Sequence, residues 1–139
     1  MQNGHPGKRV ILVAERDQQV RKLQQHFLTE AGFAVEFADD GASALERAQA
    51  ALPALVITEI LLPRLDGLAL CRRLREDPLT REVPVLVFSI LAAEVRASEA
   101  GASAFLRKPL VDSVFLTAVQ QLVATHSTEA TKEQQWATK

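Results

Sequence analysis

Four residues able to carry chemistry each stand at the end of an apolar run: Glu15, Glu59, Ser89 and Lys108. Glu15 closes Arg9-Val10-Ile11-Leu12-Val13-Ala14, and Glu59 closes Ala54-Leu55-Val56-Ile57-Thr58. Ser89 closes Val83-Pro84-Val85-Leu86-Val87-Phe88, and Lys108 follows residues 102–107. Continuous runs rich in β-branched residues read as strands buried on both faces, as in a parallel sheet. In such sheets ligands and chemistry collect outside the carboxyl ends of the strands. Two carboxylates, a hydroxyl and an ammonium are therefore expected at one sheet edge, with Arg16 beside Glu15 as a second cation. Glu15 and Glu59 then face Arg16 and Lys108, and the cluster balances its own charge. A carboxylate pair can serve a hydrolase, but no second polar shell or substrate pocket accompanies this one. A flavin binder needs a loop rich in Ser, Thr and Gly after the first strand, where this chain has Glu15-Arg16-Asp17-Gln18. The glycine fingerprints of dinucleotide and triphosphate loops are absent.

The segments between the strands must set these side chains in place. Val20, Leu23, Phe27 and Ala31 recur at spacings of three and four, an amphipathic helix that Asp17 caps and Gly32 ends. Residues 33–38 alternate only in part, as an edge strand does. Asp40 caps a second helix bearing Leu45, Ala48 and Leu52, and Pro53 stops it. A third helix starts near Asp66 with Leu70, Cys71 and Leu74 inward, and Asp77-Pro78 breaks it. A short Ala- and Glu-rich helix ends at Gly101, and the last helix carries Val111, Phe115, Val119 and Leu122. Strand and helix alternate five times, which argues for an α/β fold: a three-layer, doubly wound, five-stranded parallel sheet with right-handed crossovers. Residues 9–124 form one domain between flexible tails at 1–8 and 125–139.

Composition narrows the classes. The chain has 139 residues, 47% of them hydrophobic and 24% charged, the balance of an ordinary globular protein. A net charge of −1 with no basic stripe speaks against nucleic-acid binding. A lone Cys71 offers neither an internal disulfide nor a zinc site, which fits a reducing cytoplasm. No apolar run is long enough to span a membrane, and residues 1–8 lack the core of a secretory signal. His26 has no partner pattern and reads as structural. Trp136 lies in the polar tail.

Taken in order, Ile11-Leu12-Val13, Ala31-Gly32-Phe33, Asp40-Gly41, residues 53–59, Leu62-Pro63-Arg64-Leu65-Asp66-Gly67, Val83-Pro84-Val85, Gly101-Ala102 and Lys108-Pro109 resemble the receiver (CheY-like) domain of two-component response regulators. The resemblance covers residues 9–124. It implies a flavodoxin-like sheet of order 2-1-3-4-5. Members of that family take a phosphoryl group from a histidine kinase onto an Asp after the third strand, with Mg²⁺ held by an acidic pair after the first. Carried over, the acceptor position is Glu59 and the acidic pair falls on Glu15 and Arg16. The phosphate-contacting hydroxyl is Ser89, the lysine Lys108, and the switch aromatic Phe105.

Ser89, Lys108 and Phe105 keep the family pattern; Glu59 and Arg16 break it. Glu extends its carboxylate a methylene beyond Asp, and a misplacement of about 1 Å can cost about a hundredfold in rate. Mg²⁺ tolerates little displacement of its ligands, and Arg16 puts a permanent cation where a ligand is needed. The resemblance therefore implies a degenerate receiver, with no catalytic residue and no metal at Glu15, Arg16 and Glu59. Its signalling would be independent of phosphorylation and would run through protein contacts with a histidine kinase or output protein. No nucleic acid or membrane takes part. The expected protein is cytoplasmic, a monomer or weak dimer, and not an enzyme. The alternative is a competent receiver with an unusual acceptor, for which Mg²⁺ would be the cofactor. Only twelve positions separate Ser89 from Gly101, about a turn less than is usual in the family, so the fourth helix is expected to be short.

Overall fold

The apolar runs become strands β1 (Val10–Ala14), β2 (Ala34–Ala38), β3 (Leu55–Thr58), β4 (Val85–Ser89) and β5 (Ala104–Arg107). Between and after them lie α1 (Gln18–Glu30), α2 (Gly41–Ala51), α3 (Gly67–Glu76), α4 (Glu94–Glu99) and α5 (Asp112–Ala137). The structure is a computed structural model that describes the backbone of residues 7–137 and the side chains of 7–125. All strand pairs are parallel and the order is β2-β1-β3-β4-β5, as predicted. Register lines up the strand ends: Ala14 lies opposite Ala38 and Thr58, Thr58 opposite Val87, and Ser89 opposite Arg107. Glu15, Glu59 and Lys108 each follow such an end and so emerge on the same edge.

Strand alternation divides the core into two layers. Leu12, Val56, Val85 and Val87 meet Leu45, Ala48, Leu70, Cys71 and Leu74 of α2 and α3 on one face. Ile11, Val13, Ile57, Leu86 and Phe88 meet Leu28 of α1 and Phe115, Val119 and Val123 of α5 on the other. Three aspartates start helices by accepting amide hydrogen bonds: Asp17 from Gln19 (2.8 Å), Asp40 from Ser43 (2.7 Å) and Asp66 from Ala69 (2.8 Å). The short α4, six residues long, matches the narrow interval that precedes Gly101, and its N-cap Ala93 offers no side-chain hydrogen bond.

Several local readings are corrected. Leu23 is 45% exposed, because α1 turns Arg21, Gln24 and Leu28 inward, a face set at spacings of three and four from Arg21. Leu52 does not pack inward. It is the C-cap of α2 in the left-handed region (φ 48°), half-exposed beside Pro53. Val111 precedes α5 and is exposed, so the buried stripe of that helix is Phe115, Val119 and Val123. The helix α5 continues to Ala137, through most of the stretch read as a tail at 125–139. The added segment contains no Gly or Pro and is rich in Ala, Glu, Gln and Lys, whose helix propensity operates without an apolar period. The side chain of Trp136 lies outside the described residues, as do residues 1–6 of the predicted N-terminal tail.

Candidate functional site

Glu59 is buried just past β3, where the chain reverses into the loop that precedes α3. Gly67 permits that reversal: a Cβ there would stand 2.1 Å from the Glu59 carbonyl oxygen. Gly41, at the start of α2, lies equally close to this loop, since its Cβ would meet the Leu65 carbonyl oxygen at 1.8 Å. Held this way, the loop directs the amides of Ile60 and Leu61 onto Glu59 Oε2, at 2.5 and 3.2 Å. The Ser89 hydroxyl donates to the same oxygen. Glu59 Oε1 receives the Lys108 ammonium at 2.9 Å.

Glu15 is 3% exposed and anchored from both sides of its backbone. Its amide donates to the Ala38 carbonyl (3.2 Å), and its carbonyl accepts from Arg21 Nε (2.5 Å). Its carboxylate meets Lys108 Nζ at 3.0 Å through Oε1 and 3.2 Å through Oε2, and Oε2 also accepts the Asp17 amide at 3.1 Å. Lys108 itself is fixed by a 2.8 Å bond from its amide to the Ser89 carbonyl, with its ammonium 5.8 Å above the Phe88 ring. One partly buried ammonium thus bridges two buried carboxylates, and every carboxylate oxygen of the pair is engaged.

The electrostatics follow from these contacts. Burial alone would raise the Glu59 pKa, but the Ser89 hydroxyl, the Lys108 ammonium and the Leu61 amide hold it below its ordinary value. Burial works to lower the Lys108 pKa, and its contacts with Glu59 and Glu15 outweigh this and raise it. Glu59 and Lys108 are therefore both charged at neutral pH.

Of the residues singled out in the sequence, Glu15, Glu59, Ser89 and Lys108 come together. Arg16 does not. It is exposed and forms no ion pair among the described residues, because Lys108 already answers both carboxylates. The predicted charge balance is corrected accordingly: one cation faces two anions. Asp17 is the N-cap of α1. Phe105 is half-buried and packs against the core layer beneath α2, α3 and α4. His26 is exposed on α1, edge-on to the Phe27 ring.

Arg21 supports the site and has no counterpart in the sequence reading. Besides the Glu15 carbonyl, its guanidinium reaches the Ala38 carbonyl (3.1 Å) and Asp39 (2.5 Å) and lies 4.9 Å above the Phe37 ring. It ties α1 to the ends of β1 and β2 and so positions Glu15. An Arg seven residues past a strand end carries no pattern of its own in a single sequence.

Comparison with known proteins places these features in a family. The family described as "Response regulator receiver domain" matches residues 11–120. Response regulator PleD of Caulobacter vibrioides is 34% identical over 117 residues, covering 82% of this chain and 26% of PleD. Transcriptional regulatory protein CseB of Streptomyces coelicolor is 34% identical over 116 residues, covering 81% of this chain and 48% of CseB. This chain therefore spans between about a quarter and a half of the length of these relatives. Among solved structures, the signal receiver domain of a signal transduction histidine kinase from Syntrophus aciditrophicus superimposes with a TM-score of 0.78 at 34% identity, covering 84% of this chain and 90% of that one. Chemotaxis response regulator CheY4 of Vibrio cholerae shares the fold, with a TM-score of 0.77 at 24% identity over 83% of this chain and 98% of that one.

Proposed function

Because this chain belongs to the response regulator receiver family, we propose that it is a receiver module that signals by protein–protein contact without phosphoryl transfer. One observation carries the reading: the Glu59 carboxylate already holds the contacts that a phosphorylated acceptor would be expected to seek. It takes the Lys108 ammonium at 2.9 Å, the Ser89 hydroxyl, and the Ile60 and Leu61 amides. A carboxylate so bonded and held below its ordinary pKa is a weak nucleophile. At 5% exposure it also leaves little room for a donor to reach attack distance, about 3–3.5 Å.

The fixed carboxylate has a route to the surface. Ser89 Oγ accepts the Leu91 amide at 3.2 Å, which ties the segment before α4 to Glu59. Arg107 Nε donates to the Ile90 carbonyl at 3.0 Å and ties the same segment to β5. Ile90 in this segment and Val95 on α4 are 54% and 70% exposed. A segment held in one arrangement presents one surface, and a protein partner reads that surface without a phosphorylation event. The partner classes in keeping with the family are histidine kinases and output proteins. No helix among the described residues is long and apolar enough to cross a membrane.

Intact-mass spectrometry after incubation with acetyl phosphate and Mg²⁺ tests the proposal. We expect no phosphoryl adduct. An adduct mapped to Glu59 or to any other residue of the site would establish the competent receiver with an unusual acceptor instead.

A further inference from the structure

The receiver resemblance raises Mg²⁺, and the side chains at the site do not fit it. Mg²⁺ demands near-octahedral oxygen ligands at about 2.0–2.1 Å. Two carboxylates are present, all four of their oxygens are engaged, and the third family position is the exposed cation Arg16. The point between the carboxylates is taken by Lys108 Nζ, 3.0 Å from Glu15 Oε1 and 2.9 Å from Glu59 Oε1.

We propose that Lys108 is the resident cation of this site, its ammonium standing where a divalent ion would bind, and that removing it converts Glu15 and Glu59 into a divalent-cation site. The two Oε1 atoms already converge on one point. A Ca²⁺ contact of about 2.3–2.6 Å requires each to close by only about half an ångström. The neighbourhood is preorganised as well. Arg21 and the Ala38 carbonyl fix the Glu15 backbone, and the Ile60 and Leu61 amides fix the Glu59 carboxylate. With the ammonium gone, two buried carboxylates confront each other, and a buried charge without a partner is costly. A proton or a cation must then enter. With the ammonium present, a divalent ion has to expel a doubly paired lysine, so the native chain folds without regard to Mg²⁺ or Ca²⁺.

The inference rests on the same residues as the proposed function but not on the loss of phosphoryl transfer, so the mass measurement and the melting measurements below fail independently. Thermal unfolding of the full chain is followed in chelator, in Mg²⁺, in Ca²⁺, and in NaCl of matched ionic strength. The native protein is expected to melt alike in all four. Lys108→Met is expected to melt lower in chelator and to recover saturably with divalent cation but not with NaCl. At about ten times the dissociation constant the folding equilibrium shifts by about tenfold. Lys108→Met/Glu59→Gln, which leaves a single carboxylate, is expected to lose that response. If Lys108→Met does not fold in chelator, refolding on addition of Mg²⁺ or Ca²⁺ supports the proposal, and failure to fold with either overturns it. A saturable rise in the native protein, no response in a folded Lys108→Met, or a response retained in the double variant each overturn it too.

Discussion

The Ser89 hydroxyl, fully buried at the end of β4, donates to the Glu59 carboxylate and accepts the Leu91 amide at 3.2 Å. A single oxygen therefore connects the acceptor position to the segment that leads into α4. Ser89→Ala deletes both bonds without adding volume. Glu59 Oε2 keeps two amide donors, whereas the Leu91 amide loses the acceptor it has here. The expected cost is about 1–3 kcal/mol, the range for a buried group left unpaired. Amide hydrogen exchange should locate the loosening at Leu91 and the start of α4. Exchange that is unchanged there would mean that Glu59 does not hold this segment.

Stability should also report the charges on the Glu59–Lys108 pair. The Glu59 pKa is lowered from an ordinary 4.5, so its contribution is present above that value and is lost as pH falls through the folded pKa. The Lys108 pKa is raised from an ordinary 10.5, so its contribution is complete below that value and is lost as pH rises through the folded pKa. A plateau across the neutral range with a fall on each side is expected in urea midpoints against pH. Glu59→Gln should flatten the acid limb in particular. An acid limb of the same depth in Glu59→Gln would assign it to other carboxylates.

What the sequence made legible, and what it hid, divides along a physical line. Residues 10–14, 54–57 and 85–88 are apolar without a break because both faces of the sheet are covered, and the polar residues that follow each run lie at or next to its edge. Glu15, Glu59 and Ser89 were found for that reason, and Lys108 by its place after the fifth run. The direction a side chain takes from that edge depends on which partner reaches it first. Arg16 and Lys108 looked equivalent as cations, but only Lys108 is led inward by its backbone bond to Ser89. Arg21 went unnoticed because its three oxygen partners come from Glu15, Ala38 and Asp39, which the fold alone brings together. The face of α1 that carries Arg21 also turns Gln24 inward and leaves Leu23 exposed, which the apolar spacing alone does not reveal.

Gln24 carries its own prediction. It is 1% exposed, and its side-chain Oε1 has no hydrogen-bond partner among the described residues. A buried amide oxygen without a donor is a cost that an apolar group of similar shape does not incur. Methionine matches glutamine in length and nearly in helix propensity. Gln24→Met is therefore expected to raise stability by about 1–2 kcal/mol, or a few degrees in melting temperature. A lower melting temperature would show that the Gln24 amide has a partner that this structure does not record.

The double replacement Arg16→Asp with Glu59→Asp tests how much of a working receiver survives beneath these two residues. Glu59→Asp withdraws the carboxylate by a methylene from Ser89 and Lys108, which frees its oxygens for a donor and gives Lys108 slack to leave the midpoint. Alone it supplies no additional ligand for a metal. Arg16→Asp places a carboxylate beside Glu15 and removes a cation that nothing in the site uses, but it leaves Glu59 fully bonded. Each change repairs half of an arrangement that acts jointly, so the singles are expected to take up little phosphoryl group from acetyl phosphate. The double variant is expected to take it up only with Mg²⁺ present, on the residue at position 59, as read by intact mass and peptide mapping. A folded double variant that stays unmodified would mean that the remaining residues, Glu15, Ser89 and Lys108, are set for the ion pair and not for a phosphoryl group. Uptake by Glu59→Asp alone and without metal would show that reach was the sole defect and that position 16 has no part in it.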